Sequence, residues 1–417
     1  MNTIDRRQLI SWCLFDFGNS SYSAVIAAVI FPVFYVSSIA GNDAGQGDAW
    51  WGRAISLSMA FVAITSPFLG GVADYSGKRK RLLLFYTAVC VISVSLFSFL
   101  KQGMVREGFF LVLMANIGME GGLVFYNSFL PNIARREYQG RVSAWGFGVG
   151  YAGSILSLLF ALPLATSGRY TETWVMVSLF FAVFSLPAFL FLPGDAKTGV
   201  TVFGAATKGW GYFREVIREI IANREMRKFL VSYLVYEDGV MTVIVFSSIF
   251  AATTLGFGTQ ELIALYLVVQ VTALAGAFAM AKPMDAWGPK KIVVLSLLLW
   301  AAVSVSAYLV ADKMHFFLLS SVAGLGLGTI QAASRAFFSQ FIPNGRESEY
   351  FGTYALVGKS SAIIGPLVFG YVSSTFRSQR PAILAVSLFF IAGLVMVSRV
   401  QGGGPNVERK KGENGLD

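Results

Sequence analysis

The chain has 417 residues, 55% hydrophobic and only 13% charged, with 37 Phe, a single His, a mean hydropathy of +0.63 and a formal net charge of +10. Soluble domains run nearer 45–50% apolar and about 25% charged, so this composition excludes an ordinary soluble protein and points to a membrane protein.

The apolar residues fall in twelve blocks of about 20 residues, each long enough at ~1.5 Å per residue to cross ~30 Å of hydrocarbon. They lie near 10–38, 53–74, 82–100, 108–130, 142–166, 173–193, 229–254, 260–281, 291–311, 315–341, 352–375 and 381–399. An even number of spans puts both termini on one side, and the positive-inside rule says which. With the N-terminus, the even-to-odd loops and the tail assigned to the cytoplasm, that side carries 24 of the 33 Lys and Arg and the other side 7, with Arg335 and Lys359 inside blocks. The net positive charge follows from this bias, so the run KRKR at 78–81 reads as a positive-inside loop and no nucleic acid is expected. The expected location is a bacterial inner membrane, with both termini cytoplasmic.

The first block is too polar for a cleaved signal peptide, despite "SSIA" at 37–40, because Asp16 and Asn19 sit in its core. Cys13 and Cys90 lie in apolar segments and indicate neither a disulfide framework nor a metal site. Residues 194–228 form a cytoplasmic linker between six blocks and six, rich in Lys and Arg. Within it "WGYFREVIREIIANREMRKF" gathers Phe213, Ile217, Ile220 and Ile221 on one helical face, the pattern of a helix lying on lipid headgroups. The expected organisation is a first half at 1–193, the linker at 194–228, a second half at 229–400, and a disordered cytoplasmic tail at 401–417.

The halves repeat. The second block ends in "GGVADYSGKRKR" and the eighth in "AKPMDAWGPKK", placing Asp74 and Asp285, then Gly77 and Gly288, then basic residues in register. "FLPNIARREYQGRVSAWG" and "FIPNGRESEYFGTYALVG" align Pro131 with Pro343, Tyr138 with Tyr350 and Gly140 with Gly352. Duplicated six-helix units of this kind build many transporters, with the substrate site between the halves near midplane. The expected fold is an all-α membrane protein of twelve transmembrane helices in two pseudo-symmetric six-helix halves.

These loops, on twelve helices with a long central linker, resemble the major facilitator superfamily. Within it "WCLFDFGNSSYS", "FPVFY", "YEDGV" and "QAASRAFFSQFIPNGRESEYFG" are similar to the vacuole-effluxer-like family, whose eukaryotic members are vacuolar amino-acid effluxers. Phe15 and Gly18 stand where the family pattern leads one to expect Tyr and Ala, and the loop after the eighth block lacks an Arg. The resemblance implies that blocks 1, 4, 7 and 10 line a central cavity. It also implies that Asp74, Gly77, Lys78 and Arg79, with Asp285, Gly288 and Lys290, form a cytoplasmic gate that latches the halves in the outward-open state.

Six ionisable residues lie well inside the blocks: Asp16, Glu120, Glu237, Asp238, Arg335 and Lys359. Asp, Lys or Arg at a helix centre costs at least ~2.5–3.5 kcal/mol on insertion scales, so these side chains should face protein or water. Asp16, Asn19, Ser20 and Ser23 run at helical spacing along one face of the first block. Asn116, Glu120 and Asn127 do so in the fourth, and Gln331, Ser334 and Arg335 in the tenth. By helix rise, Asp16, Glu237, Arg335 and Lys359 share a level ~9–12 Å from the cytoplasmic ends. The expected network pairs Arg335 and Lys359 with Asp16 and with Glu237 or Asp238. Glu120, nearer midplane and without a cation on its own helix, is the expected proton carrier; Asn19, Asn116 and Gln331 complete the expected pathway.

"GVGYAG" at 148–153 and "GLGLG" at 324–328 mimic dinucleotide fingerprints, but inside membrane helices they read as close packing through small residues. No nucleotide loop, metal cluster or activated nucleophile is evident, so neither an enzyme nor a cofactor is expected. The leading expectation is a monomeric secondary transporter of a small polar or zwitterionic solute, an amino acid first, proton-coupled and working by alternating access in the bilayer. The alternatives are an exporter of amphipathic drugs or lipids, and a non-transporting receptor or scaffold.

Overall fold

The computed structural model describes residues 5–41, 46–196, 198–361 and 364–401. The tail expected to be disordered lies outside the described residues from 402 onward.

Helix α1 begins at Arg6, capped by the Asp5 carboxylate on the Arg7 N–H, and runs to Val29, widening to π-helical turns over Tyr22–Val29. It then bends by 44° into Phe31–Ala40. Pro32 explains the break, since it cannot donate to the preceding turn and its ring crowds that turn. Next come α2 (Gln46–Ser76), α3 (Arg79–Leu96), α4 (Val105–Ser128), α5 (Gln139–Thr166) and α6 (Tyr170–Phe191). After the linker helix α7 (Val202–Ala222) come α8 (Arg224–Thr253), α9 (Thr259–Trp287), α10 (Pro289–Leu309) and α11 (Lys313–Ser339). Segments Glu347–Ser360 and Ile364–Phe376 make α12, and α13 is Gln379–Ser398. Eleven of these helices are long and apolar enough to cross a membrane, and the bent α1 makes twelve. Large side chains such as Ile64, Phe85, Ile92, Phe110, Leu179 and Leu190 are exposed, as expected of a bundle whose outer surface meets hydrocarbon.

Each half packs on itself: α1 against α5 and α6, α3 against α4; and in the second half α9 and α10 against α11, α10 against α13. The halves meet most extensively along two contacts related by the repeat, α2 with α12 and α5 with α9, and further where α11 reaches α5 and α12 reaches α4. Small residues permit this approach; a Cβ at Gly70 would lie 2.2 Å from the Ser348 carbonyl oxygen. Gly153, in one of the glycine-rich decoys, likewise brings α5 onto the Phe17 carbonyl of α1.

The linker differs from expectation. Its helix ends at Ala222, because Asn223 caps the Met226 N–H and starts α8. The buried face of α7 is Ala205, Gly209, Tyr212, Val216 and Ile220, with Tyr212 only half-buried, and Ile221 is 56% exposed. Tyr212 stacks on Tyr75 of α2 with ring centroids 3.5 Å apart. The apolar stripe therefore covers protein, chiefly α2, at the termini end of the bundle, where the described chain begins at Asp5 and stops at Gln401.

Candidate functional site

Two basic side chains of the second half reach into the first. Lys359 of α12 pairs with Glu120 of α4, Nζ to Oε2 2.5 Å. Arg335 of α11 enters a box of aromatic rings, 4.8 Å from the Trp12 centroid and 4.1 Å from that of Phe147. Its Nε donates to Ser143 Oγ at 2.9 Å, Nη2 to the Ser143 carbonyl at 2.8 Å and Nη1 to Asn127 Oδ1 at 3.0 Å. The expected pairs are thus corrected. Lys359 takes Glu120 in place of Asp16, Glu237 or Asp238, and Glu120 has a cation after all, supplied by another helix. Arg335 makes no ion pair among the described residues, because its donors are used by α4 and α5 before any carboxylate is reached.

Asp16 lies within the field of Arg335 and beside the Tyr126 hydroxyl, and accepts from Asn19 Nδ2 at 3.2 Å through Oδ1, while its buried Oδ2 has no well-aligned hydrogen-bond partner among the described residues. Glu237 accepts from Gln331 Nε2 at 2.8 Å through Oε1, and its buried Oε2 is likewise unpartnered. Two carboxylate oxygens are therefore left bare at a level where two cations cross between halves. The remaining candidates serve their own half. Asn116 accepts from the Tyr22 hydroxyl and donates to Ser58, and Asp238 Oδ1 accepts from the Gly365 N–H at 2.8 Å, tying α8 to α12.

On the side of this level away from the termini lies a cavity of about 760 Å³. Its walls are mainly α8–α11, with Ala27–Val29 of α1 and Tyr151 of α5, and no charged side chain among the described residues lines it. Tyr151 joins the two zones, since it faces the cavity and is in electrostatic reach of Asp16, Glu237 and Arg335. It was passed over in the sequence as part of "GVGYAG". Gln270, Trp300 and Ser304 also line the cavity and carry no charge to draw attention; the readable signal was Ser296, Trp300 and Ser304 recurring every fourth residue.

The termini end is closed. Asp74 Oδ1 binds Arg79 Nη2 at 2.8 Å, and the same nitrogen reaches Glu347 of the second half at 2.7 Å. Asp74 Oδ2 accepts from the Glu349 N–H at the start of α12. Asp285 repeats the device, accepting from the Arg141 N–H at the start of α5 at 2.8 Å and pairing with the Arg141 guanidinium at 2.9 Å. A carboxylate at the N-terminus of a helix in the opposite half meets both unpaired N–H groups and the positive end of the dipole. Gly77 (φ 68) and Gly288 (φ 84) make the turns that follow. Lys78 forms no ion pair among the described residues, and Lys290 bonds the Ser398 carbonyl within its own half. A third tie was not foreseen: Glu219 of α7 binds Arg346 at 2.6 Å and the Tyr350 hydroxyl at 2.5 Å. Burial alone pushes the Glu219 carboxyl up, but the Tyr350 hydroxyl and the Arg346 guanidinium outweigh it and hold the group below the usual glutamate range.

A family model described as vacuole effluxer Atg22 like matches residues 53–141 and 135–413. The chain belongs to this family. Among similar proteins, the Atg22-like chain is 28% identical to the uncharacterized MFS-type transporter YxiO of Bacillus subtilis, over 94% of its own length and 95% of that protein's. It is 23% identical to autophagy-related protein 22-1 of Neosartorya fischeri, over 84% and 74% of the two chains. The human organic anion transporter MFSD10 (TETRAN) superposes with a TM-score of 0.77 over 95% of this chain and all of that one, at 14% identity, a likeness of fold. This Atg22-like protein is therefore a multi-pass transporter of the major facilitator type and not an enzyme.

Proposed function

We propose that this protein moves a small zwitterionic solute, an amino acid first, across a bacterial inner membrane by alternating access coupled to protons, working as a monomer with its termini in the cytoplasm. One observation carries the reading. Asp16 and Glu237 each present a buried, unpartnered carboxylate oxygen beside the level at which Arg335 and Lys359 cross between the halves. An ammonium group on the solute satisfies the bare oxygens, and a carboxylate competes with Glu120 for Lys359. A solute with only one of these charges leaves half of the site unmatched.

Alternating access requires the ties at the termini end to break as the halves rock. In this arrangement Glu120 is the proton carrier, because its protonation releases Lys359 from the ion pair across the halves. On this reading the halves, tied at the termini end, stand in the outward-facing state, closed at the cytoplasmic rim. The test is uptake of labelled amino acids into proteoliposomes under an imposed pH gradient, with the esters (no carboxylate) and the N-acetyl forms (no ammonium) as competitors. Saturable uptake blocked by the parent amino acid and by neither derivative supports the reading; equal competition by the derivatives refutes it. A second reading, an amphipathic solute, is favoured by the apolar cavity wall.

A further inference from the structure

The cavity has a chemistry of its own on the side of the second half. Val243, Phe246, Leu265, Val303, Phe316 and Val386 give it an apolar surface, and no Asp, Glu, Lys or Arg among the described residues reaches it. Uncharged polar side chains do, and three of them carry a bare atom. Gln270 is 8% exposed, Trp300 2% and Ser304 2%, and Gln270 Oε1, Trp300 Nε1 and Ser304 Oγ are buried with no hydrogen-bond partner. All three residues line the cavity, as does Tyr266, whose hydroxyl meets the Gln270 amide and leaves Oε1 bare. Ser304 lies one helical turn beyond Trp300 on α10, and Gln270 lies on α9, which packs on the same helix. Serine in a helix ordinarily returns its hydroxyl to the carbonyl one turn back, as Ser232 and Ser321 do here. Ser304 does not.

Buried polar groups are normally hydrogen-bonded, and a donor, an acceptor and a hydroxyl left bare around one space specify what fills it. The indole N–H requires an acceptor and the amide oxygen a donor. A charged group placed among these walls finds no counter-charge and loses its hydration. The volume, about 760 Å³, is within the range that holds drug-sized molecules.

We propose that the α9–α10 wall of this cavity is a binding subsite for an uncharged amphiphile, an apolar and preferably aromatic body bearing a carboxamide or hydroxyl, held between Trp300 Nε1 and Gln270 Oε1. The subsite lies apart from the charged level and stands whatever solute that level takes. It admits compounds that the zwitterion reading excludes, either as transported solutes in their own right or as blockers of the outward-facing state.

The test is equilibrium binding, which needs no flux. Fluorine NMR titrations of the purified full chain in detergent use 4-fluorobenzamide, 4-fluorobenzyl alcohol, 4-fluorotoluene and 4-fluorobenzoate, each corrected for uptake into empty micelles. The amide and the alcohol should bind saturably and at least about tenfold more tightly than the hydrocarbon, the usual consequence of leaving buried polar groups unmatched. The benzoate should bind more weakly than the amide. Trp300→Phe, which keeps a ring against Phe390, and Gln270→Leu should each weaken the amide about tenfold and erase its advantage over the hydrocarbon. Equal binding of amide and hydrocarbon means that water satisfies the wall, and overturns the proposal. So does benzoate binding as tight as the amide, which would place recognition at Arg335 or Lys359. If either variant fails to fold, the ligand series on the unaltered protein decides alone. Failure of amino-acid uptake leaves these titrations untouched, and failure here leaves the transport reading standing.

Discussion

Arg335 offers the most direct way to perturb the balance between the two access states. Its three hydrogen bonds to the first half, at 2.8–3.0 Å, and its seat between Trp12 and Phe147 exist only while the halves are closed around it. Arg335→Lys keeps the charge but replaces a planar fork with one ammonium, which can retain one of the three bonds. At ~1.5–3 kcal/mol for a hydrogen bond to a charged group, losing two costs the closed state about 3 kcal/mol, with any loss of ring contact added. That is about a hundredfold in the equilibrium, enough to bring a 99:1 population near parity. The assay is the distance between spin labels placed at Glu137 and Lys291, both exposed at the termini end on opposite halves. The unaltered protein should give one short distance. Arg335→Lys should add a longer population, and Arg335→Gln, which also loses the charge, should enlarge it. Thermal unfolding of both variants should stay near that of the parent, because the ties broken join the halves and not the core of either. A distance distribution unchanged in both variants would refute the view that this side chain locks the closed state.

Other consequences are as accessible to test. Glu120→Gln should abolish flux driven by a pH gradient while leaving solute exchange in proteoliposomes, since Lys359 is then released whatever the pH; retained pH-driven flux excludes Glu120 as the carrier. Gly70→Val places a side chain against the Ser348 carbonyl, where a Cβ would lie at 2.2 Å, so the α2–α12 contact cannot close; a cysteine at Ser128, fully buried against Ser348 of the second half, should then be alkylated at least ~10-fold faster, the closed state being penalised by ~1.4 kcal/mol or more. The Glu219 tie has a defined pH sign: a carboxyl held below its unfolded value contributes above the ordinary glutamate range and is lost only as pH falls through its lowered value. Glu219→Gln should therefore speed that alkylation by the same factor at pH 6 and pH 8, and an effect confined to one of the two would contradict the assignment. Tyr151→Phe should weaken solute binding several-fold without changing the distance distribution, because Tyr151 lines the cavity within electrostatic reach of Asp16 and Glu237.

Sequence alone determined the spans and the repeat, because each rests on local periodicity and on the high cost of exposing a charge to lipid. Asp16, Glu237, Arg335 and Lys359 could be read as inward-facing from their place inside apolar blocks, and Asp74 and Asp285 could be recognised as counterparts by their shared spacing. Tertiary structure decided the partners. Lys359 meets Glu120 across 239 residues of chain, and Arg335 prefers α4 and α5 to any carboxylate, since pairing depends on which helices adjoin and on their rotation about their own axes. For the same reason the apolar face of α7 found α2 instead of headgroups, and Gln270, Trp300 and Ser304 became the polar points of an apolar cavity. Periodicity says that a side chain faces inward; only the packed bundle says what stands opposite it.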